Sequence, residues 1–228
     1  MKAWEAAKNA LENVLDAVAG ESIVVACDEE KKGIGQAFAD GALALGLWTR
    51  LIILETGKTI RREVPPQLLE VLTRQKPDIY INLMRGQREE TPFRIRIVKL
   101  ETRGRRSRLG HCPGVTMDML TNGALALTSE EHQRMQGFAE RLLRALEGTV
   151  EIELHTPAGT NLSLSVKDRS FFTDTKLDWK TMKWMNLPTG EVLAAPIENS
   201  LSGRLLCDMA VGGIGPLKTP VEIVAKEG

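Results

Sequence analysis

Three short apolar runs constrain this chain more than any other feature. Residues 22–27, 50–54 and 78–83 each read as a strand, the first two as buried strands, and the first is the kind of continuous β-branched run that a sheet buries on both faces. Helical patterns stand between them. Ahead of the first run, Trp4, Ala7, Leu11, Val14, Leu15 and Val18 recur at three- and four-residue steps, and Gly20 is the expected stop. A polar, glycine-containing loop is expected over 28–35, followed by a helix over 36–47. Pro65 and Pro66 open a further helix carrying Leu68, Leu69, Val71 and Leu72, because proline is tolerated in a first helical turn. Alternation of this kind predicts an α/β protein, with a parallel sheet and helices on its faces.

The remainder is less uniform. Residues 93–97 alternate like a strand, while the flanking composition suits a helix, and both readings stay open over 92–127. Thr128 and Glu131 form a capping box, predicting a helix with Met135, Phe138, Leu142, Ala145 and Leu146 on one face and Gly148 at its end. From Thr149 the pattern changes. Residues 150–154 and 162–166 alternate apolar with polar around a Pro157–Asn161 turn, as a β-hairpin does, and further β-like pieces lie at 190–195, 203–211 and 221–225. The expected organisation is an N-terminal parallel-sheet α/β domain over 1–148 and a smaller β-rich domain over 149–228.

Lys plus Arg and Asp plus Glu each number 30 in 228 residues, so the formal net charge is zero. Nucleic acid is therefore not an expected partner, since neutralising phosphates requires a basic excess. The basic run over 103–108 reads as a solvated loop. No stretch approaches the roughly 18–20 apolar residues of a membrane span, and charges at Lys2, Glu5, Lys8, Glu12 and Asp16 interrupt any secretion-type apolar core. Cys27, Cys112 and Cys207 are scattered without CxxC spacing, so no disulfide framework is expected and a cytoplasmic location is.

Candidate chemistry is sparse. Gly33 and Gly35 follow a strand and Glu55 ends the next one, as in a dinucleotide-binding fingerprint. Phe38 occupies the third glycine position, however, and Asp28, Glu29 and Glu30 would repel phosphate, so an ordinary helix-entry loop is the better reading. His111, His132 and His155 fall in no HExxH or HxH arrangement. His132 is expected to face solvent, and His155, at a strand end before a turn, to be structural or on the surface. His111 and Cys112 are neighbours on an extended segment, so they point to opposite sides, and the Pro113–Gly114 turn favours a structural or domain-interface role for them. No GxSxG elbow occurs. Glu191 directly follows a turn containing Pro188 and Gly190, where a carboxylate is well placed to hold a hard or borderline divalent metal.

The same segment carries a family resemblance. Residues 186–198 closely resemble the N-L-P-x-G-E-V-x-x-A-P-x-E segment of the aminopeptidase T family. Residues 155–162 are similar to its T-x-x-G-T-D-L hairpin, with Asn161 in place of the aspartate, and 202–204 with 216–220 fit an S-x-G loop and the following strand. His111, Pro113, Gly114, Thr116 and Met119 resemble an H-x-P-G-I-T-x-x-M segment, while residues 1–100 match mainly in α/β character. The resemblance implies a pair of divalent metals (zinc, cobalt or manganese) held by two glutamates, two histidines and an aspartate, with Glu191 as the first glutamate. The other ligands lie farther along, in a segment this chain does not reach, leaving Glu198 and Asp208 as the only helpers in view.

A complete enzyme of this kind takes a peptide substrate and removes its N-terminal residue, with metals that polarise the scissile carbonyl and generate a hydroxide. This chain is expected to be partial or inactive as a peptidase, with no catalytic residue assigned. The resemblance also implies a homodimer, and the alternative is a non-catalytic binding or dimerisation module derived from the scaffold. Other metal chemistry on the same scaffold, such as ring-opening oxygenation, would need the same missing ligands.

Overall fold

Each of the three apolar runs is a strand, and each lies parallel to its neighbour. In this computed structural model, which describes residues 1–104, 106–212 and 214–228, the order begins α1 (Ala3–Asn13), β1 (Ser22–Asp28), α2 (Lys32–Ala44), β2 (Trp48–Leu54), α3 (Pro66–Arg74), β3 (Ile79–Leu83), α4 (Thr91–Glu101), β4 (Arg108–His111), α5 (Met117–Thr121) and α6 (Ser129–Ala145). It continues with β5 (Glu151–His155), β6 (Asn161–Ser165), β7 (Phe172–Thr173), β8 (Trp184–Asn186), β9 (Val192–Leu193), β10 (Ser202–Cys207), β11 (Ala210–Val211), β12 (Gly215–Pro216) and β13 (Val221–Ala225). Two compact units result: Met1–Ala139 with Asp174–Glu191, and Glu140–Thr173 with Val192–Gly228.

The first unit is built on a five-stranded sheet of order β2-β1-β3-β4-β8, parallel throughout. Side chains alternate across it, so the central strands feed two cores. Ile23, Val25, Cys27 and Ile81 pack with Leu11 of α1 and Phe38 of α2 on one face. Val24, Ala26 and Tyr80 pack with Leu68 and Val71 of α3 and Phe93 and Ile97 of α4 on the other. A Cβ on Gly41 would stand 2.7 Å from the Lys8 nitrogen and 2.8 Å from the Trp4 oxygen, so glycine here lets α2 lie directly on the α1 backbone. Gly35 serves the same end against β1, where a Cβ would meet Cys27 Sγ at 2.6 Å. Gly35 is thus explained by helix–strand packing, whereas a Cβ on Gly33 would meet only Met117 Cε, at 3.4 Å.

Several expectations need correction. The helix expected to run to Gly20 ends at Asn13; Asp16 takes a left-handed φ of 54°, and Arg108 Nη1 donates to the carbonyls of Leu15 (3.1 Å) and Asp16 (2.6 Å). No long polar loop occupies 28–35, because Asp28 ends β1 fully buried and α2 starts after one 3-10 turn. β2 is a half-exposed edge strand, with Trp48 77% exposed. Residues 93–97 are helical: Phe93, Ile97 and Glu101 share the buried face of α4 at four-residue steps. The basic run at 103–108 includes Arg105, which lies outside the described residues.

The capping box forms as the sequence implies, with Thr128 N–H donating to Glu131 (2.8 Å) and Glu131 N–H to Thr128 Oγ1 (3.2 Å). The helix behind it is turned differently, though. His132 and Ala139 are buried, whereas Phe138 is 61% exposed. His132 is thus buried, contrary to the surface position expected of it.

The second unit contains a four-stranded antiparallel sheet of order β13-β10-β6-β5, with β5 and β6 forming the expected hairpin, and two short ladders, β7–β9 and β11–β12. No described helix is long and apolar enough to cross a membrane.

Candidate functional site

In an open parallel sheet the carboxyl ends of the strands are the usual place for a ligand. Here those ends carry a cluster of buried polar groups. Asp28 ends β1, Arg85 follows β3, Glu90 precedes α4, and Arg61 reaches in from the connection after β2. Arg61 forks onto both Asp28 oxygens, with Nη2 to Oδ2 at 2.7 Å, and also donates to Glu90 from Nη2 (2.9 Å) and its backbone N–H (2.8 Å). Arg85 donates to Glu90 through Nη2, to Asp28 through its backbone N–H (2.6 Å), and to the carbonyls of Gly57 (2.8 Å) and Thr59 (2.6 Å). Burial alone would raise the Glu90 carboxyl, but hydrogen bonds from Arg85 and Arg61 outweigh it and hold the pKa at about 2. Two carboxylates face two guanidinium groups, so the network is closed in charge and acts as a clamp holding the 57–61 loop on the sheet.

Beside the clamp runs a second chain of polar groups. Asn82 on β3 is paired in register with His111 on β4, which is paired in turn with Asn186 on β8. Asn82 Nδ2 donates to the buried Glu101 carboxyl of α4 at 2.7 Å, and Asn82 Oδ1 meets His111 Nδ1. With Oδ1 as acceptor, Nδ1 carries the proton and Nε2 is left as an acceptor. Burial pushes the Glu101 carboxyl up to about 8, against a smaller lowering by Asn82. Burial, then the charges of Arg94 and Lys31, hold the His111 imidazole down to about 4. Near neutral pH the chain therefore consists of a protonated acid, an amide and an uncharged imidazole.

His111 opens onto a pocket of about 500 Å³ between α4 and the β4–β8 edge. Arg94, Ile95 and Val98 of α4 form one wall, and Trp184 and Asn186 of β8 the other. The His111 and Trp184 rings stand 6.2 Å apart at 84°. Arg94 is half-buried, and all its hydrogen bonds go to neutral oxygens: the carbonyls of Arg85 (3.1 Å) and Gln87 (2.6 Å) and Thr91 Oγ1 (3.0 Å). A larger cavity of about 600 Å³ lies in the second unit between the end of α6 and Phe171.

The residues singled out by sequence are dispersed. Glu191 is exposed on a turn fixed by Asp174, whose Oδ1 accepts from the N–H groups of Gly190 (2.9 Å) and Glu191 (2.7 Å). Glu198 is paired with Arg169 at 2.8 Å. His155 is exposed, 3.5 Å from Glu153. Neither ring nitrogen of the buried His132 has a hydrogen-bond partner among the described residues. Cys112 is fully buried, and burial pushes its thiol well above the usual range, so it is no nucleophile. Among the described residues there is no group of three or more His, Cys, Asp or Glu that could hold a metal ion, and the side chains present do not fit a two-metal centre. Sequence reading passed over Asp28, Arg61, Arg85, Glu90, Asn82 and Glu101, which come from separate segments and make no local motif.

The architecture places the chain among α/β proteins with an open parallel sheet followed by a β-rich region. No protein-family model matches the chain, and no curated protein matches it in sequence. Solved structures do match in fold. The 2,5-dihydroxypyridine dioxygenase of Pseudomonas putida KT2440 superposes with a TM-score of 0.65 at 14% identity, over 99% of this chain and 65% of that one. Wild-type AmpT from Thermus thermophilus superposes with a TM-score of 0.63 at 13% identity, over 93% of this chain and 66% of that one. The chain thus spans about two thirds of the length of either protein, and at these identities the likeness is one of fold.

Proposed function

We propose that this chain is an aminopeptidase T-like scaffold that supplies one metal-binding carboxylate, Glu191, and does not by itself remove N-terminal residues from peptides. The observation that carries this reading is the state of Glu191. Its backbone is locked by Asp174 and its side chain lies exposed, yet no cluster of metal-binding side chains stands among the described residues. A catalytic divalent metal needs about three protein ligands and an open position. Zinc, cobalt or manganese held by Glu191 alone would bind weakly and exchange freely. After dialysis the purified protein is expected to retain far less than one equivalent of metal, and Glu191→Ala to abolish the weak binding that remains at millimolar metal. Elemental analysis with a leucyl anilide hydrolysis assay checks this. Stoichiometric metal lost in the variant, with metal-dependent release of leucine, would overturn it.

A second reading, assembly, is favoured by the edge of the second unit's sheet. β13 is one of its two edge strands, and Val221, Ile223 and Val224 are all exposed on it. An apolar, unpaired edge invites pairing with a second copy. Light scattering is expected to report a homodimer that Ile223→Lys weakens; a strict monomer at high concentration would rule it out. The three free cysteines, two of them buried, suit the reducing cytoplasm this reading assumes.

A further inference from the structure

The pocket between α4 and the β4–β8 edge combines three features that point one way. The first is charge. Arg94 is half-buried with only neutral oxygen partners, and Nε and one Nη2 proton have no hydrogen-bond partner among the described residues. Glu90, the carboxylate that acts on it electrostatically, is already bonded to Arg61 and Arg85. Lys99 adds a second cation to the lining, and no carboxylate side chain belongs to it. A guanidinium held in this way favours a carboxylate, which its planar fork matches.

The second feature is shape. His111 and Trp184 meet as two nearly perpendicular rings, forming a corner in which a third ring can lie flat on one and edge-on to the other. The third is apolar surface. Ile95 and Trp184, exposed by 49% and 40%, leave hydrophobic area open directly beside the cation. About 500 Å³ is within the size range of small-molecule sites.

We propose that this pocket binds a small aromatic carboxylate, with the anion on Arg94 and the ring in the corner made by His111 and Trp184. The site does not depend on whether Glu191 holds a metal. His111 takes part as an uncharged wall: its Nδ1 meets Asn82 Oδ1, and burial with the charges of Arg94 and Lys31 keeps the imidazole neutral, so it adds no charge to compete for the carboxylate.

Calorimetry on the full chain with benzoate and its neutral isostere benzamide tests the assignment. Benzoate is expected to bind in the micromolar-to-millimolar range and benzamide about tenfold more weakly, the difference of one charge-assisted bidentate contact. Arg94→Gln should bring benzoate down to the benzamide level and leave benzamide unchanged. Trp184→Ala should weaken both. The proposal fails if benzoate gives no binding at millimolar concentrations, if benzamide binds the wild-type protein as tightly, or if folded Arg94→Gln binds benzoate unchanged. The benzoate–benzamide comparison needs no variant, so it holds even if Arg94→Gln does not fold.

Discussion

Replacing Glu90 with alanine is expected to destabilise the protein by about 3–5 kcal/mol, the range found when one partner of a buried ion pair is removed. Glu90 is fully buried and accepts hydrogen bonds from Arg61 and Arg85. Without it, two guanidinium groups share one carboxylate, Asp28, where little water reaches them, and the backbone N–H of Arg61 loses its acceptor. Phe93, under the Arg61 guanidinium at 4.8 Å, gives only partial compensation. Glu90→Gln should recover part of the loss, since it retains an acceptor but not the charge.

The pH dependence separates this explanation from simple loss of packing. Arg85 and Arg61 hold the folded-state pKa of Glu90 at about 2, against an ordinary value of 4.5. The stability it contributes is therefore fully present above about pH 4.5 and is lost as pH falls toward 2. Urea unfolding should show a gap between wild type and Glu90→Ala that is constant near neutrality and narrows in acid. A gap under about 1 kcal/mol at neutral pH would mean that the clamp contributes no more than an exposed ion pair.

How much of this was legible in the sequence followed the range of the interactions. The first turns of the α1 stripe, the β-branched runs, the β5–β6 hairpin and the Thr128–Glu131 box are written within a few residues, and each formed, although α1 ends at Asn13 and not at Gly20. Where a long-range partner decides, local pattern misled. At 93–97 the alternation and the helical flanking composition left strand and helix both open, and the helical spacing of Phe93, Ile97 and Glu101 prevailed once α4 packed on the sheet. The acidic start of the 28–35 segment looked solvated because Arg61, 33 residues on, was not visible as the partner of Asp28. Likewise, nothing near 184 indicates that β8 joins the first sheet beside β4, the pairing that closes the pocket. The motif around Glu191 was legible as a motif; the turn clamp supplied by Asp174 was not.

Glu101→Gln is expected to act in the opposite direction, stabilising the protein by about 2–3 kcal/mol near pH 7. Burial raises the Glu101 carboxyl to about 8 in the folded protein, from an ordinary 4.5. Between those values the unfolded chain gives up a proton that the folded chain keeps, so stability falls by about 1.4 kcal/mol for each pH unit. Glutamine keeps an acceptor for Asn82 Nδ2 and removes the ionisation. His111 works against this term at lower pH. Its folded-state pKa is about 4 against 6.5, so in that interval the unfolded chain takes up a proton that the folded chain refuses, and stability rises with pH. The buried His132, also lowered by desolvation, adds in the same sense. Between about pH 4.5 and 6.5 the Glu101 and His111 slopes oppose and nearly cancel, so the wild-type profile should rise there only by the His132 contribution and then decline toward 8, while Glu101→Gln climbs steeply to about 6.5 and then stays level. Urea midpoints across that range decide the matter. A wild-type profile flat between 6.5 and 8 would show that Glu101 ionises in place, and the acid–amide–imidazole chain beneath the pocket would then carry a negative charge instead of none.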